Sequence, residues 1–136
     1  MATAGYSGTP LPQKLGIEPG TLLATLHAPD DFGDTLGELP PEAQLLIRVQ
    51  TGLDLVVAFY TKQSALQREW PRLTAAVAPD GTVWIAWPKK ASKVATDITE
   101  DVLRELLLPT GWVDNKVCAI DDTWSGLRFA LRRELR

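Results

Sequence analysis

The apolar positions of this chain change period along its length. Residues 21–27 (TLLATLH) are apolar on both faces, which suits a strand in the middle of a covered sheet. Residues 44–49 (QLLIRV) read as a second strand, and Arg48 places it near an edge. After a Thr51-Gly52 turn, residues 53–60 (LDLVVAFY) are β-branched, aromatic and continuous, the strongest strand signal in the chain. Residues 82–87 (TVWIAW), 112–120 and 124–133 are three further strands. In the last of these Leu127, Phe129 and Leu131 alternate with Arg128, Ala130 and Arg132, so one face should be wet or lie under polar cover.

Between strands the period lengthens to that of a helix. Over residues 62–78, Leu66, Trp70, Leu73 and Val77 share one face, Thr61 is the expected N-cap, and Pro79-Asp80-Gly81 ends the helix. Pro71 lies inside and should kink it, because proline has no N–H for the carbonyl of Gln67. A second helix is expected over 98–108. Asp97 and Glu100 stand at capping-box spacing before it, and Pro109 and Gly111 stop it. Residues 11–17 suit one or two helical turns, and residues 1–10 an extended arm. The segment 28–42 carries Asp30, Asp31, Asp34, Glu38 and Glu42 with no basic residue, and reads as an acidic loop with at most a short turn of helix.

From residue 53 the order is strand, helix, strand, helix, strand, strand. Right-handed crossovers make the earlier strands parallel neighbours, and the short Asp121-Asp122-Thr123 link makes the last pair antiparallel. The expected fold is a single α/β domain: a three-layer, Rossmann-like, mostly parallel sheet of about six strands with a C-terminal antiparallel hairpin. The order of elements along the chain, with the segment LGIEPGTLL at 15–23, resembles the methyltransferase variant of the Rossmann fold, with one or two strand–helix units missing between the first and third strands. The resemblance, to a fold whose last strand inserts antiparallel, implies the sheet order second, first, third, fourth, sixth, fifth.

That resemblance implies a nucleoside cofactor, S-adenosylmethionine, and the residues argue against it. Such a site needs a glycine-rich turn after the first strand and an acidic residue at the end of the next. Here the first strand is followed by HAPDDFG, with Pro29 in the turn and Gly33 alone, and the second ends in VQT. No cofactor is therefore expected. Ligands of open α/β sheets bind beyond the carboxyl ends of the strands, a rim that here holds His27, Asp30, Tyr60, Thr61, Trp87, Lys89 and Lys90. His27, the only histidine, is a candidate proton carrier or simply a hydrogen-bonded rim residue. Without a second histidine or a nearby cysteine, a metal site or a catalytic triad has little support. Lys89, Lys90 and Lys93 with Ser92 form a basic cluster just before a helix, where a small anion could sit, or else a solvated loop that balances the acidic segment.

Composition narrows the classes further. The chain has 136 residues, 45% of them hydrophobic, and a net charge of −3, which fits one soluble domain and disfavours a nucleic-acid binder held by phosphate contacts. Cys118, the one cysteine, cannot form an internal disulfide and reads as a core residue. No apolar run is long enough to span a membrane, and the N-terminus lacks the features of a secretory signal, so a cytoplasmic protein is expected. Of five tryptophans, Trp70 and Trp84 suit the core. Trp87, Trp112 and Trp124 stand at strand ends, where a partner protein or a second copy is an alternative to core packing.

The segments YSGTPL at 6–11, KLGI at 14–17, WPKKAS at 87–92, TEDV at 99–102 and VCAIDDTWSGL at 117–127 together resemble a small bacterial family of unknown function, the one numbered 3052. The resemblance covers nearly the whole chain and implies no activity. Its signatures fall on the arm, the lysine loop and the last hairpin. The resulting expectation is a non-catalytic protein that binds a partner protein or a small anionic ligand through Tyr6, Ser7, His27, Tyr60, Lys89, Lys90 and Ser92. The alternative is an enzyme acting on a small anionic substrate, with His27 or Tyr60 as proton carrier and the lysines as the anion clamp.

Overall fold

A computed structural model describes residues 8–136; Tyr6 and Ser7 lie outside the described residues. The six strands are β1 (Leu22–Leu26), β2 (Gln44–Leu46), β3 (Leu55–Phe59), β4 (Thr82–Pro88), β5 (Trp112–Ala119) and β6 (Trp124–Leu131). They form one sheet in the order β2-β1-β3-β4-β6-β5, the order expected. Strands β1 to β4 run parallel, whereas β6 is antiparallel to both β4 and β5.

Helices cover both faces. The short α1 (Leu11–Leu15) and α2 (Phe32–Leu36) lie on one, and α3 (Gln63–Val77) and α4 (Glu100–Leu107) on the other. The period of two along each strand divides the core accordingly. Val56, Ala58, Val83 and Ile85 pack toward α3 and α4, while Leu55, Val57, Phe59 and Trp84 pack toward α1 and α2. Every residue of β3 is buried, as a central strand requires. The Trp84 indole N–H donates to the Leu15 carbonyl at 2.9 Å and so ties α1 to the sheet. Arg128 lies over the Trp84 ring, 5.7 Å from its centroid, and supplies the polar cover expected on β6. Helix α3 continues through Pro71 to Val77.

Several expectations need correction. Trp87 and Trp112 are 8% and 4% exposed, so of the two roles open to them they take core packing. Trp112 meets the edge of Trp70 at 5.8 Å, and the half-buried Trp124 meets Phe59 at 5.1 Å. Cys118 is only half-buried, because it lies on the edge strand β5; burial still pushes its thiol pKa up. Asp97 and Thr61 exchange their expected roles with other groups. Thr99 caps α4 by accepting from the Val102 N–H at 3.1 Å. Asp97 instead caps α3, accepting from the Gln63 N–H at 2.8 Å, since the N-cap there is Lys62, which cannot accept. Among the described residues, no helix is long and apolar enough to cross a membrane.

Candidate functional site

The carboxyl ends of β1 and β3 lie side by side, and the chain leaves them at His27 and Tyr60. His27 takes the left-handed conformation, φ 61°, which few non-glycine residues adopt. That turn leaves its side chain 48% exposed at the rim. Tyr60 is buried in the core against α3, with its hydroxyl directed at Glu69.

Glu69 joins the two. Its Oε1 lies 2.7 Å from the Tyr60 hydroxyl and 2.8 Å from His27 Nε2. Burial pushes the Glu69 pKa upward, but the bonds from Tyr60 and His27 outweigh it, and the carboxyl is held below its ordinary value. An ionised carboxylate only accepts, so both partners donate. This fixes the Nε2–H form of His27 and leaves Nδ1 as the lone-pair nitrogen when the ring is neutral. Burial, followed by the bond to Glu69, drives the Tyr60 pKa far above the usual phenol range. Tyr60 therefore remains a donor and is a poor proton carrier. The His27 and Tyr60 rings also meet edge to face at 5.5 Å.

A cleft of about 370 Å³ opens beside this cluster, lined by His27, Tyr60, Lys62, Arg68, Glu69 and Trp124, among others. The N-cap Lys62, with Ala65 and Glu69 at helical spacing after it, lies along one flank of α3, and Arg68 adjoins it. Glu69, Lys62 and Arg68 were not among the sequence-based candidates. The helical spacing of the polar flank was the available signal. Nothing local indicates which strand end that flank faces, because Glu69 and His27 are 42 residues apart.

The lysine loop lies elsewhere on the rim. Lys90 and Lys93 line a separate groove of about 550 Å³ with Trp87, Ile98 and Glu100. The segment 94–98 stands between groove and cleft, pinned where the Thr96 hydroxyl donates to the Thr61 carbonyl at 2.7 Å. The Ser92 hydroxyl donates to the Lys89 carbonyl at 2.6 Å and accepts from the Val94 N–H, so it serves the turn itself. The first turn of α4 carries Glu100 and Asp101, which oppose an anion there. The structure thus brings His27 and Tyr60 together, while Lys90 lines the separate groove and Lys89 and Ser92 line neither hollow. Among the described residues, no ion pair joins the acidic segment 28–42 to these lysines.

Two larger hollows lie away from this rim. One, about 450 Å³, is at the amino ends of the strands between Asp54 and Arg128; the other, about 700 Å³, runs between α1 and α2. Ligands of open α/β sheets favour the carboxyl ends, so the smaller cleft is the stronger candidate. Among the described residues, no group of three or more His, Cys, Asp or Glu side chains is arranged to hold a metal ion.

A nucleoside cofactor does not fit the residues at the end of β1. His27 occupies the position where a glycine would let backbone approach the ligand, and its side chain is bonded to Glu69. Pro29 has no N–H to offer. A Cβ added to Gly33 would meet no atom within 4 Å of the protein, so this glycine is not forming a tight cradle. Beyond β2 the chain presents Ile47 and Arg48 and no carboxylate.

No protein-family model and no curated protein sequence matches the chain. Solved structures do. The fold is similar to a candidate type 11 methyltransferase from Sulfolobus solfataricus, with a TM-score of 0.63 and 12% identity over 90% of this chain and 89% of that one. It is similar to the fibrillarin pre-rRNA processing protein of Methanococcus jannaschii, with a TM-score of 0.61 and 11% identity over 93% and 70%. A SAM-dependent methyltransferase from Aquifex aeolicus gives a TM-score of 0.57 and 12% identity over 86% and 85%. At such identities the likeness is one of fold: this chain has a Rossmann-like, methyltransferase-like architecture.

Proposed function

We propose that this chain is a single-domain (residues 1–136), cytoplasmic member of the bacterial family of unknown function 3052, and that it binds a small anionic ligand in the His27–Tyr60 cleft. The observation that carries this reading is the convergence of His27, Lys62 and Arg68 on one cleft at the carboxyl ends of β1 and β3. Glu69 adds negative charge there, but it is already engaged by two donors. Arg68 supplies the planar fork suited to a carboxylate or phosphate, and Trp124 an apolar wall. Tyr60, whose pKa burial raises, is a poor general base, so a catalytic reading would rest on His27 alone. A part for Lys89, Lys90 and Ser92, and for Tyr6 and Ser7 outside the described residues, is the weaker element of this proposal, because Glu100 and Asp101 oppose an anion beside the lysines.

One observation favours an enzyme acting on a small anionic substrate as a second reading. Glu69 bonded to one nitrogen of His27 orients the ring and leaves the other free to take a proton. In that reading Arg68 and Lys62 hold the anion.

Thermal-shift measurements with phosphate, pyrophosphate and small carboxylates test the binding reading. A ligand at 100 times its dissociation constant should add about 2.7 kcal/mol of stability. Arg68→Ala should remove the shift, whereas the Lys89→Ala, Lys90→Ala double variant separates off any part played by the lysine loop. A shift that survives Arg68→Ala would misplace the site. If no anion shifts the melt, a protein partner replaces the small ligand.

A further inference from the structure

The two edges of the sheet are finished differently. At β5 the register shifts between Asp114 and Lys116, and both Asn115 and Lys116 are exposed; a bulge with a lysine is a common guard against further pairing. At β2 there is no bulge, and residues 43–47 (AQLLI) carry no charge. Leu45 and Ile47 are 40% and 95% exposed there. The Gln44 N–H donates to Thr21 across the β1 ladder at 2.9 Å. Backbone groups alternate sides along a strand, so the N–H and C=O of Leu45 face the open edge.

The charges flanking this edge complement one another only when it pairs with itself in reverse. The acidic segment 28–42 ends at Glu42, just before β2, and Arg48 follows just after. Among the described residues neither Glu42 nor Arg48 has an ion-pair partner within the chain. Antiparallel pairing about Leu45 sets Leu45 opposite its own copy and Gln44 opposite Leu46; one residue beyond the strand at each end, it sets Ala43 opposite Ile47. It also brings Arg48 of each copy to the Glu42 end of the other. Parallel pairing would instead set Arg48 beside Arg48.

We propose that the β2 edge is a self-association surface, on which a second copy of this chain pairs β2 with β2 antiparallel about a twofold axis at Leu45, joining the two sheets into one. The contact is isologous, with each Leu45 donating to and accepting from its counterpart. It relies on a short strand and two apolar side chains, so the dimer is reversible and concentration-dependent. The proposal does not depend on the anion reading, because no residue of 42–48 lines the cleft.

Sedimentation velocity on the full chain over a wide concentration series tests it. The wild-type protein should show a reversible monomer–dimer equilibrium. Leu45→Pro removes an N–H that β1 does not use, so it should give a monomer with a native circular-dichroism spectrum. Ile47→Lys, which alters only a side chain, should do the same. Arg48→Glu should weaken dimerisation by roughly tenfold, since two symmetry-related charge pairs are reversed. Adding Glu42→Lys to Arg48→Glu should restore it. A wild-type monomer at every concentration overturns the proposal. So does a dimer indifferent to Leu45→Pro and Ile47→Lys, or a charge reversal that the second substitution fails to rescue.

Discussion

The His27–Tyr60 cleft and the lysine groove lie on the same rim and are built in opposite ways. The cleft is assembled from three elements: β1 contributes His27, β3 contributes Tyr60, and α3 spans back to bond both through Glu69. The lysine groove is bordered by one local turn, whose hydrogen bonds run from Ser92 to Lys89 and from Val94 to Ser92. The first geometry is held by side-chain bonds across elements; the second is held by bonds of the turn itself and by the Lys89 N–H, which donates to the Thr123 carbonyl at 2.7 Å. Preorganised polar sites are generally of the first kind, because their groups are fixed by rigid elements before a ligand arrives.

The largest expected effect comes from dismantling the cluster. Glu69→Ala leaves the hydroxyl of Tyr60, itself 3% exposed, without its acceptor. Urea denaturation should show a loss of about 1–3 kcal/mol, the cost of a buried unsatisfied polar group. Tyr60→Phe in that background should cost much less than Tyr60→Phe alone. If the two losses simply add, the hydroxyl is not held by Glu69.

Asp97 comes next, since it belongs to the segment dividing cleft from groove. Asp97→Ala should cost about 1 kcal/mol by uncapping α3. Hydrogen exchange should quicken first at the Gln63 amide, which Asp97 accepts from. Fraying that starts at α4 instead would return Asp97 to the role its spacing with Glu100 suggests.

A smaller effect is a matter of pH. The folded-state pKa of Glu69 is lowered from its ordinary value of 4.5. Its contribution to stability is thus fully present above that value and is lost as pH falls through the lowered one. Glu69→Gln should flatten this acid limb, seen as a weaker pH dependence of the denaturation midpoint below about pH 4.5. An unchanged limb would assign the acid sensitivity to other carboxylates.

Least of all should follow from the lysine loop. Lys89→Ala with Lys90→Ala leaves the backbone bonds of the turn intact and should change stability by no more than about 0.5 kcal/mol. A larger loss would mean that the loop is tied to the fold through its side chains, and the contrast with the cleft would fail.

The order of strands and helices was legible in the sequence because each period is a local property. Two-residue and 3.6-residue repeats, with turn residues between them, mark each element, and the handedness of crossovers does the rest. The full six-strand order, with β6 between β4 and β5, was legible only through the resemblance to the methyltransferase variant of the Rossmann fold. Half of the site was legible too: His27 and Tyr60 end strands, and strand ends form the rim. Glu69 was not, because a carboxylate on a helix flank looks like solvated surface until the opposing strand end is placed. The same applies to Asp97, whose spacing with Glu100 gives a local answer while its carboxylate caps a helix 34 residues away.

The strand-end tryptophans show the remaining difference. A polar-tipped aromatic at a strand end suits an interface or a core equally well. Helices α3 and α4 decide in favour of the core at Trp87 and Trp112. By itself, then, the sequence determined the elements, their order and the rim where function belongs, all of which follow from neighbours along the chain. Tertiary structure alone decided which side chains meet across that rim, because a hydrogen bond depends on distance in space, and residues far apart in sequence carry no local mark of where they will meet.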